Sequence, residues 1–268
     1  MELKSCRVLV TGASGGIGQA LVEQLCLAGA QVLAVSRDAG ALSAAMARFP
    51  EALRHVAADL ASPAGADVVA AAARACGGVE CVIHAAGANR FGLLEQQDDA
   101  AISAQLALNL VAPVQLTRRL LPLLRAQPRA LILFVGSTFG AIGYAGFSVY
   151  SASKFGLRGF AEALRRELAD SSIGVLYVAP RATRTAMNAA AVDAMNVAPG
   201  VATDPPQQVA AAIVEALRDE RPERHLGWPE RFFVGLNRLL PRLVDRALRR
   251  QLPTIKNFTR STAEELRP

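Results

Sequence analysis

One octapeptide constrains this chain more than any other feature. Thr11-Gly12-Ala13-Ser14-Gly15-Gly16-Ile17-Gly18 lies between the apolar run Arg7 to Thr11 and the stretch Gln19 to Leu27, whose apolar residues have helical spacing. A strand, a tight glycine turn and a helix start let backbone N–H groups approach a pyrophosphate, while the helix dipole favours its negative charge. A glycine-rich loop that only turns the chain sharply is the plainer reading, but a strand before and a helix after are what dinucleotide binding demands. Gly12, Ser14, Gly16, Ile17 and Gly18 are therefore candidate cofactor contacts.

Downstream the same alternation repeats. Gln31 to Ser36, Leu53 to Ala57, Val79 to His84, Leu131 to Gly136 and Ile173 to Ala179 read as strands, with intervals long enough for helices. Runs apolar on both faces, joined by crossovers of this length, predict a doubly wound parallel sheet in a three-layer α/β/α arrangement. At 268 residues and 52% hydrophobic content the chain can bury a large core in one domain. Residues 1–228 are expected to form the nucleotide-binding and catalytic domain, and 229–268 a helical C-terminal extension. No secretory leader is evident after Met1, and no stretch approaches the roughly 18 uninterrupted apolar residues of a spanning helix. A cytoplasmic protein is the expectation.

Cys6, Cys26, Cys76 and Cys81 show no paired spacing, so reduced core residues are expected. Cys76, Cys81 and His84 lack a fourth partner for zinc, and two of them fall on one predicted strand, so no metal is expected.

At the end of the second strand stand Ser36 and Arg37, where many such folds carry an acid that bonds the adenosine ribose. Arg37 offers a planar guanidinium that can pair with a 2′-phosphate, which favours NADP(H) over NAD(H) against the alternative of a solvated arginine. Tyr150 and Lys154 open a helical stretch, Tyr150 to Asp170, whose buried face is marked by Leu157, Phe160, Ala161, Leu164 and Leu168. One turn apart, the ammonium lies beside the phenol and is expected to lower its pKa, leaving Tyr150 able to exchange protons with an alcohol or ketone. Ser137 follows the fifth strand at the carboxyl edge of the sheet, where its hydroxyl can hold a substrate oxygen. Singly, each residue has a dull reading as a turn residue, core edge or solvated lysine; their joint occurrence carries the case.

Together TGASGGIG, Ser137, and Tyr150 four residues before Lys154 resemble the short-chain dehydrogenase/reductase family, over about Leu3 to Asp219. The TGxxxGxG spacing is similar to its compact single-domain branch, which has a Rossmann fold. The resemblance implies hydride transfer between NADP(H) and a carbonyl or alcohol, with Tyr150 as general acid/base. It also implies that Asp59 binds the adenine with its side chain beside Leu60, a further cofactor contact, that Asn109, within the helix ending near Arg125, holds a water in the proton relay, and that Lys154 binds the nicotinamide ribose. Where the family commonly has Asn-Asn-Ala-Gly, the chain has His84-Ala85-Ala86-Gly87, keeping small residues at Ala85 and Gly87 for close cofactor approach. Where Pro-Gly is common, it has Pro180-Arg181, with Thr183 and Thr185 left to bond the carboxamide or phosphates. Arg181 or Arg184 is either a contact for an anionic substrate group or a solvated arginine.

Phe139, Ile142, Tyr144 and Phe147, with the Ala-, Val- and Met-rich segment Ala186 to Pro199, suggest a hydrophobic substrate such as an acyl chain. The charge of +6 concentrates at the end: from Arg218 onward there are 12 Lys and Arg against 7 Asp and Glu. After the strand-like Arg224 to Trp228, the residues Phe232, Leu236, Leu239, Leu240, Leu243 and Ala247 form an apolar stripe beside Arg238, Arg242, Arg246 and Arg249, with Pro241 as a break. Packing on the chain's own core or on a homo-oligomer partner, in a dimer or tetramer, is the commonest fate of such a stripe. Peripheral attachment to anionic lipid and docking to an acidic carrier protein are the alternatives. No recognition module for nucleic acid accompanies the charge. Against the enzyme stands a non-catalytic NADP(H)-binding sensor or scaffold that kept the fold without turnover.

Overall fold

The computed structural model describes residues 1–187 and 202–265. Seven parallel strands form one sheet: β1 (Arg7–Thr11), β2 (Gln31–Ser36), β3 (Leu53–Ala57), β4 (Cys81–His84), β5 (Ala130–Val135), β6 (Ile173–Ala179) and β7 (Glu223–His225), in the order β3-β2-β1-β4-β5-β6-β7. This is the doubly wound Rossmann arrangement expected from the alternating runs. β1 pairs β2 on one side and β4 on the other, so Thr11 stands level with both Val35 and His84. The chain reverses its direction of winding there, and the crevice beyond these strand ends is where an open α/β sheet receives a ligand.

The sheet is buried on both faces because successive side chains alternate sides. Val8 and Val10 join Leu21 and Leu25 of α1 (Gly16–Leu27) and Ile213 and Leu217 of α7 (Pro206–Asp219) in one core. Leu9, Val82, Ile132 and Phe134 join Leu116, Leu120 and Leu124 of α5 (Ala112–Arg125) and Leu157, Ala161, Leu164 and Leu168 from the region of α6 (Ser148–Glu167) in the other. Each such leucine contributes about 1.5–3 kcal/mol by leaving water. The helix expected from Tyr150 to Asp170 begins two residues earlier, and Phe160 is only partly buried.

Three further helices complete the layers: α2 (Ser43–Arg48), α3 (Pro63–Ala75) and α4 (Asp99–Leu106). Asn109 does not sit in regular α-helix; residues Ala107–Val111 form a π-helical turn between α4 and α5. The whole run Asp99–Arg125 is long and apolar enough by length and composition to cross a membrane, but it packs against α3 and α6 and keeps Asn109 buried. All four cysteines are free, and no cluster of metal-ligating side chains occurs among the described residues. His84 is buried, its Nε2 2.9 Å from the Thr117 hydroxyl and its ring stacked on Phe134.

Beyond β7 come α8 (Glu230–Leu239), α9 (Pro241–Arg249) and α10 (Leu252–Glu265), with the break falling at Pro241. Packing of the whole stripe on the chain's own core is corrected here. Phe232, Leu239, Leu240, Leu243 and Ala247 face solvent, and Leu236 is half-buried. The residues that pack inward are Val234 and Val244, against Ala141 and Ile142, with Leu248 beside them. Pro241 resets the helical phase, so a stripe drawn through both helices is not one face.

Candidate active site

The glycine turn is shaped by contacts that only glycine permits. Gly12 has a φ of +67°, and a Cβ there would lie 2.6 Å from the Ala86 Cα. A Cβ on Gly18 would lie 2.1 Å from the Gly12 carbonyl oxygen. Gly15 caps α1 with no side-chain hydrogen bond, so no side chain competes for the N–H groups of the first turn. That is a cradle of the kind a pyrophosphate fills. Thr11 Oγ1 accepts from the N–H groups of Ala85 and Ala86 at 3.1 and 3.2 Å, tying the segment after β4 to the floor of the turn. Sequence reasoning overlooked this role of Thr11, although its place at the end of β1 was visible.

A cavity of about 970 Å³ runs along the carboxyl edge of the sheet. It is bordered by Gly12, Ser14, Gly16, Ile17, Gly18, Arg37, Asp59 and Leu60, and also by Ala85, Gly87, Ser137, Tyr150, Pro180, Thr183 and Thr185. Arg37 is exposed and makes no ion pair among the described residues. Asp59 turns its Oδ1 to the Ala61 N–H at 3.0 Å. Thr185 lies against the glycine turn, its Cγ2 2.8 Å from where a Gly16 Cβ would stand. Of the segment Ala186 to Pro199, Ala186 and Met187 border the cavity; residues 188–199 lie outside the described residues.

Asn109 and Lys154 stand behind the wall, 1% and 5% exposed. The Asn109 side chain is spent on Ala88, donating to its carbonyl at 2.8 Å and accepting from its N–H at 2.8 Å. It also donates to Ser153 Oγ at 3.1 Å, which in turn donates to the Tyr150 carbonyl at 2.7 Å. Asn109 thus ties the Gly87 loop to the first turn of α6. The positions of Gly87, Asn109 and Lys154 converge: a Cβ on Gly87 would lie 3.3 Å from Asn109 Oδ1 and 3.6 Å from Lys154 Nζ.

Ser137 caps the short turn Thr138–Gly140, its Oγ accepting from the Phe139 N–H at 3.1 Å. The neighbouring Ser137 hydroxyl pulls the Tyr150 phenol's pKa down. Burial acts more strongly and leaves Tyr150 above its ordinary value of 10. Lys154 Nζ lies 5.8 Å from the centre of the Tyr150 ring and donates to the Val135 carbonyl at 3.0 Å. Burial lowers Lys154 itself to about 8. The spacing predicts that the ammonium lowers the phenol's pKa, whereas burial of Tyr150 raises it in this structure.

Beside Tyr150 the aromatic rings of Phe139, Tyr144, Phe147 and Phe91 pack on one another, with Phe139 and Phe147 edge-on to Tyr150 at 6.4 and 6.5 Å. Ile255 and Phe258 of α10 close this cluster from the C-terminal extension. Their spacing of three residues was the only sequence signal for that contact. Arg181 does not point a free charge at the cavity: its guanidinium takes Asp204 in a two-pronged bond at 2.7 and 3.0 Å and approaches Glu230 at 3.5 Å. Asp204 was not foreseen either, since nothing local marks it as the partner of an arginine 23 residues away.

A family model described as short chain dehydrogenase matches residues 7–196. The chain belongs to this family. Among curated relatives, this short-chain dehydrogenase is 30% identical over 219 residues to a 3-oxoacyl-[acyl-carrier-protein] reductase of Vibrio cholerae, covering 80% of the chain and 90% of the relative. It is 33% identical over 187 residues to nodulation protein G of a Rhizobium species, covering 69% and 76%. Among solved structures, a short-chain dehydrogenase from Streptomyces avermitilis superposes with a TM-score of 0.79 at 29% identity, over 97% of this chain and 99% of that one. A short chain dehydrogenase from Burkholderia cenocepacia, solved with NADP, gives 0.77 at 27% identity over 86% and 100%. The fold and the oxidoreductase class of this short-chain dehydrogenase follow from that membership.

Proposed function

We propose that this protein reduces a hydrophobic ketone, or oxidises the matching alcohol, with NADP(H), and that Tyr150 carries the proton. The observation that carries the reading is the meeting of the Ser137 and Tyr150 hydroxyls at the same cavity that the glycine turn borders. When bound, the nicotinamide supplies or accepts the hydride. The chain does the rest. Ser137 donates to the substrate oxygen, and Tyr150, held above its ordinary pKa by burial, stays protonated near neutral pH and delivers its proton to that oxygen. Lys154, still charged below about pH 8, supports the phenolate left behind.

Arg37 supports the choice of NADP(H), because an exposed guanidinium without an ion-pair partner among the described residues, at the end of β2, suits a 2′-phosphate. A Burkholderia cenocepacia relative was solved with NADP. Phe139, Phe147 and Met187 line the cavity and favour an apolar body, with Asn89, Arg90 and Gln105 among its polar lining. Relatives named as 3-oxoacyl-[acyl-carrier-protein] reductases support an acyl-type substrate.

The test is NADPH oxidation with a panel of hydrophobic ketones, comparing the wild type with Tyr150→Phe. Turnover that falls at least about a hundredfold in the variant is expected, the usual scale of a lost proton donor. Cofactor binding with no turnover on any ketone would favour a sensor instead.

A further inference from the structure

The C-terminal extension leaves an apolar ridge in solvent. Trp228 is 69% exposed and Leu239 is 81% exposed, and Phe232, Phe233, Leu240 and Leu243 are also open. Trp228, Phe232 and Phe233 pack ring against ring at 5.7 Å spacings, so they form one surface rather than scattered contacts. On α8 the inward direction is set by Val234 and by Asn237, whose Nδ2 donates to the Ala141 carbonyl at 2.9 Å. Phe232 and Leu239 fall on the opposite side at helical spacing.

Next to this ridge, α9 turns Val244 inward and presents Arg242, Leu243 and Arg246 outward, with Arg249 and Arg250 following. Between residues 229 and 250 there are six arginines and two acids. Arg238 is taken by Glu223, and the acid Glu230 is taken by Arg181. Arg231, Arg242, Arg246, Arg249 and Arg250 remain without an ion-pair partner among the described residues, against Asp245 as the one acid left.

Monomeric soluble proteins rarely expose contiguous aromatic and leucine surface of this kind, so something covers it. We propose that α8 and α9 form a peripheral membrane-binding surface that inserts Trp228, Phe232, Leu239 and Leu243 at the interface of an anionic bilayer, with the α9 arginines on lipid phosphates. Charge decides the occupant. An apolar face flanked by unpaired arginines matches an interfacial helix on anionic lipid. A second copy fits worse, because a twofold contact through this patch lays arginines against arginines.

Co-sedimentation of the full chain with vesicles tests the proposal, using phosphatidylcholine mixed with phosphatidylglycerol against phosphatidylcholine alone. Binding to the mixed vesicles that weakens with salt is expected. Arg242→Gln with Arg246→Gln should weaken it about thirtyfold, since each basic residue near an anionic surface is worth about fivefold. Phe232→Asp with Leu239→Asp should abolish it, and because all four positions are exposed, each variant should keep the wild-type melting temperature and ketone reduction. No binding to mixed vesicles would overturn the proposal. So would variants that bind as the wild type does, or a concentration-dependent dimer that the Phe232 and Leu239 changes dissociate.

Discussion

Replacing Lys154 with methionine should make the protein more stable while destroying its activity. The ammonium is 5% exposed, and the acceptor it has found is the Val135 carbonyl at 3.0 Å. Burial has moved its pKa from 10.5 to about 8. At pH 7 both folded and unfolded chains hold the proton, so the folded state carries the full cost of the buried charge, about 3 kcal/mol for a displacement of this size. Methionine keeps most of the volume and loses one hydrogen bond, about 1 kcal/mol. A net gain of about 2 kcal/mol is expected at pH 7. The sign with pH follows from the lowered value: between about 8 and 10.5 the unfolded chain binds the extra proton, so the wild type gains stability as pH rises through that window. By pH 9.5 it should recover about 2 kcal/mol relative to Lys154→Met. Urea unfolding of both proteins without cofactor, at pH 7 and pH 9.5, reads both effects. Comparing the two cancels the titration of Cys6 and Cys26, which burial raises to about 11 in each. A variant less stable than the wild type at pH 7, or two stability curves that run parallel with pH, would refute the reasoning.

Three further outcomes are expected. Arg37→Ala should weaken NADPH binding about ten- to a hundredfold, the scale of a charged hydrogen bond, and leave NADH within about twofold; equal weakening in a fluorescence titration would remove phosphate recognition. His84, lowered by burial to about 3, stays neutral in the fold while the unfolded chain takes a proton below 6.5. Stability should therefore fall by about 2 kcal/mol from pH 7 to pH 5, and His84→Asn should flatten that slope in thermal melts. Arg181→Gly, which restores the residue common in the family, should cost about 2–4 kcal/mol by stranding the buried Asp204 carboxylate, and adding Asp204→Asn should recover part of it in denaturant unfolding. An Arg181→Gly variant as stable as the wild type would show the pair to be idle.

The parts of this molecule legible in sequence are those governed by local rules. The glycine turn, the strand runs and the spacing of Tyr150 and Lys154 each declare themselves within a few residues, because strand and helix periodicity leave a short-range mark. What escaped was decided by distant partners. The Arg181 side chain reads as free until Asp204 arrives from beyond residue 201. Asn109 reads as a helical polar group until the π turn aims it at Ala88. The pKa of Tyr150 failed for a related reason: spacing reveals a neighbouring charge but not the burial that outweighs it. The apolar stripe of the extension failed because Pro241 shifts the phase between two helices, which composition alone does not show.

Two features run against what folding alone favours, and one segment joins them. A buried ammonium stands behind the Ser137 and Tyr150 hydroxyls, and an apolar ridge stands in water on α8 and α9. Residues 138–147 lie between: Phe139 and Phe147 pack on Tyr150, while Ala141 and Ile142, in the same segment, receive Val234 and Val244 from beneath the ridge. The Tyr144 hydroxyl donates to Gln251 Oε1 at 2.5 Å, just before α10 sends Ile255 and Phe258 into the aromatic cluster. The extension is thus built into the substrate end of the site rather than appended to it. Whatever surface settles on the ridge bears, through one layer of side chains, on the cavity wall beside Tyr150.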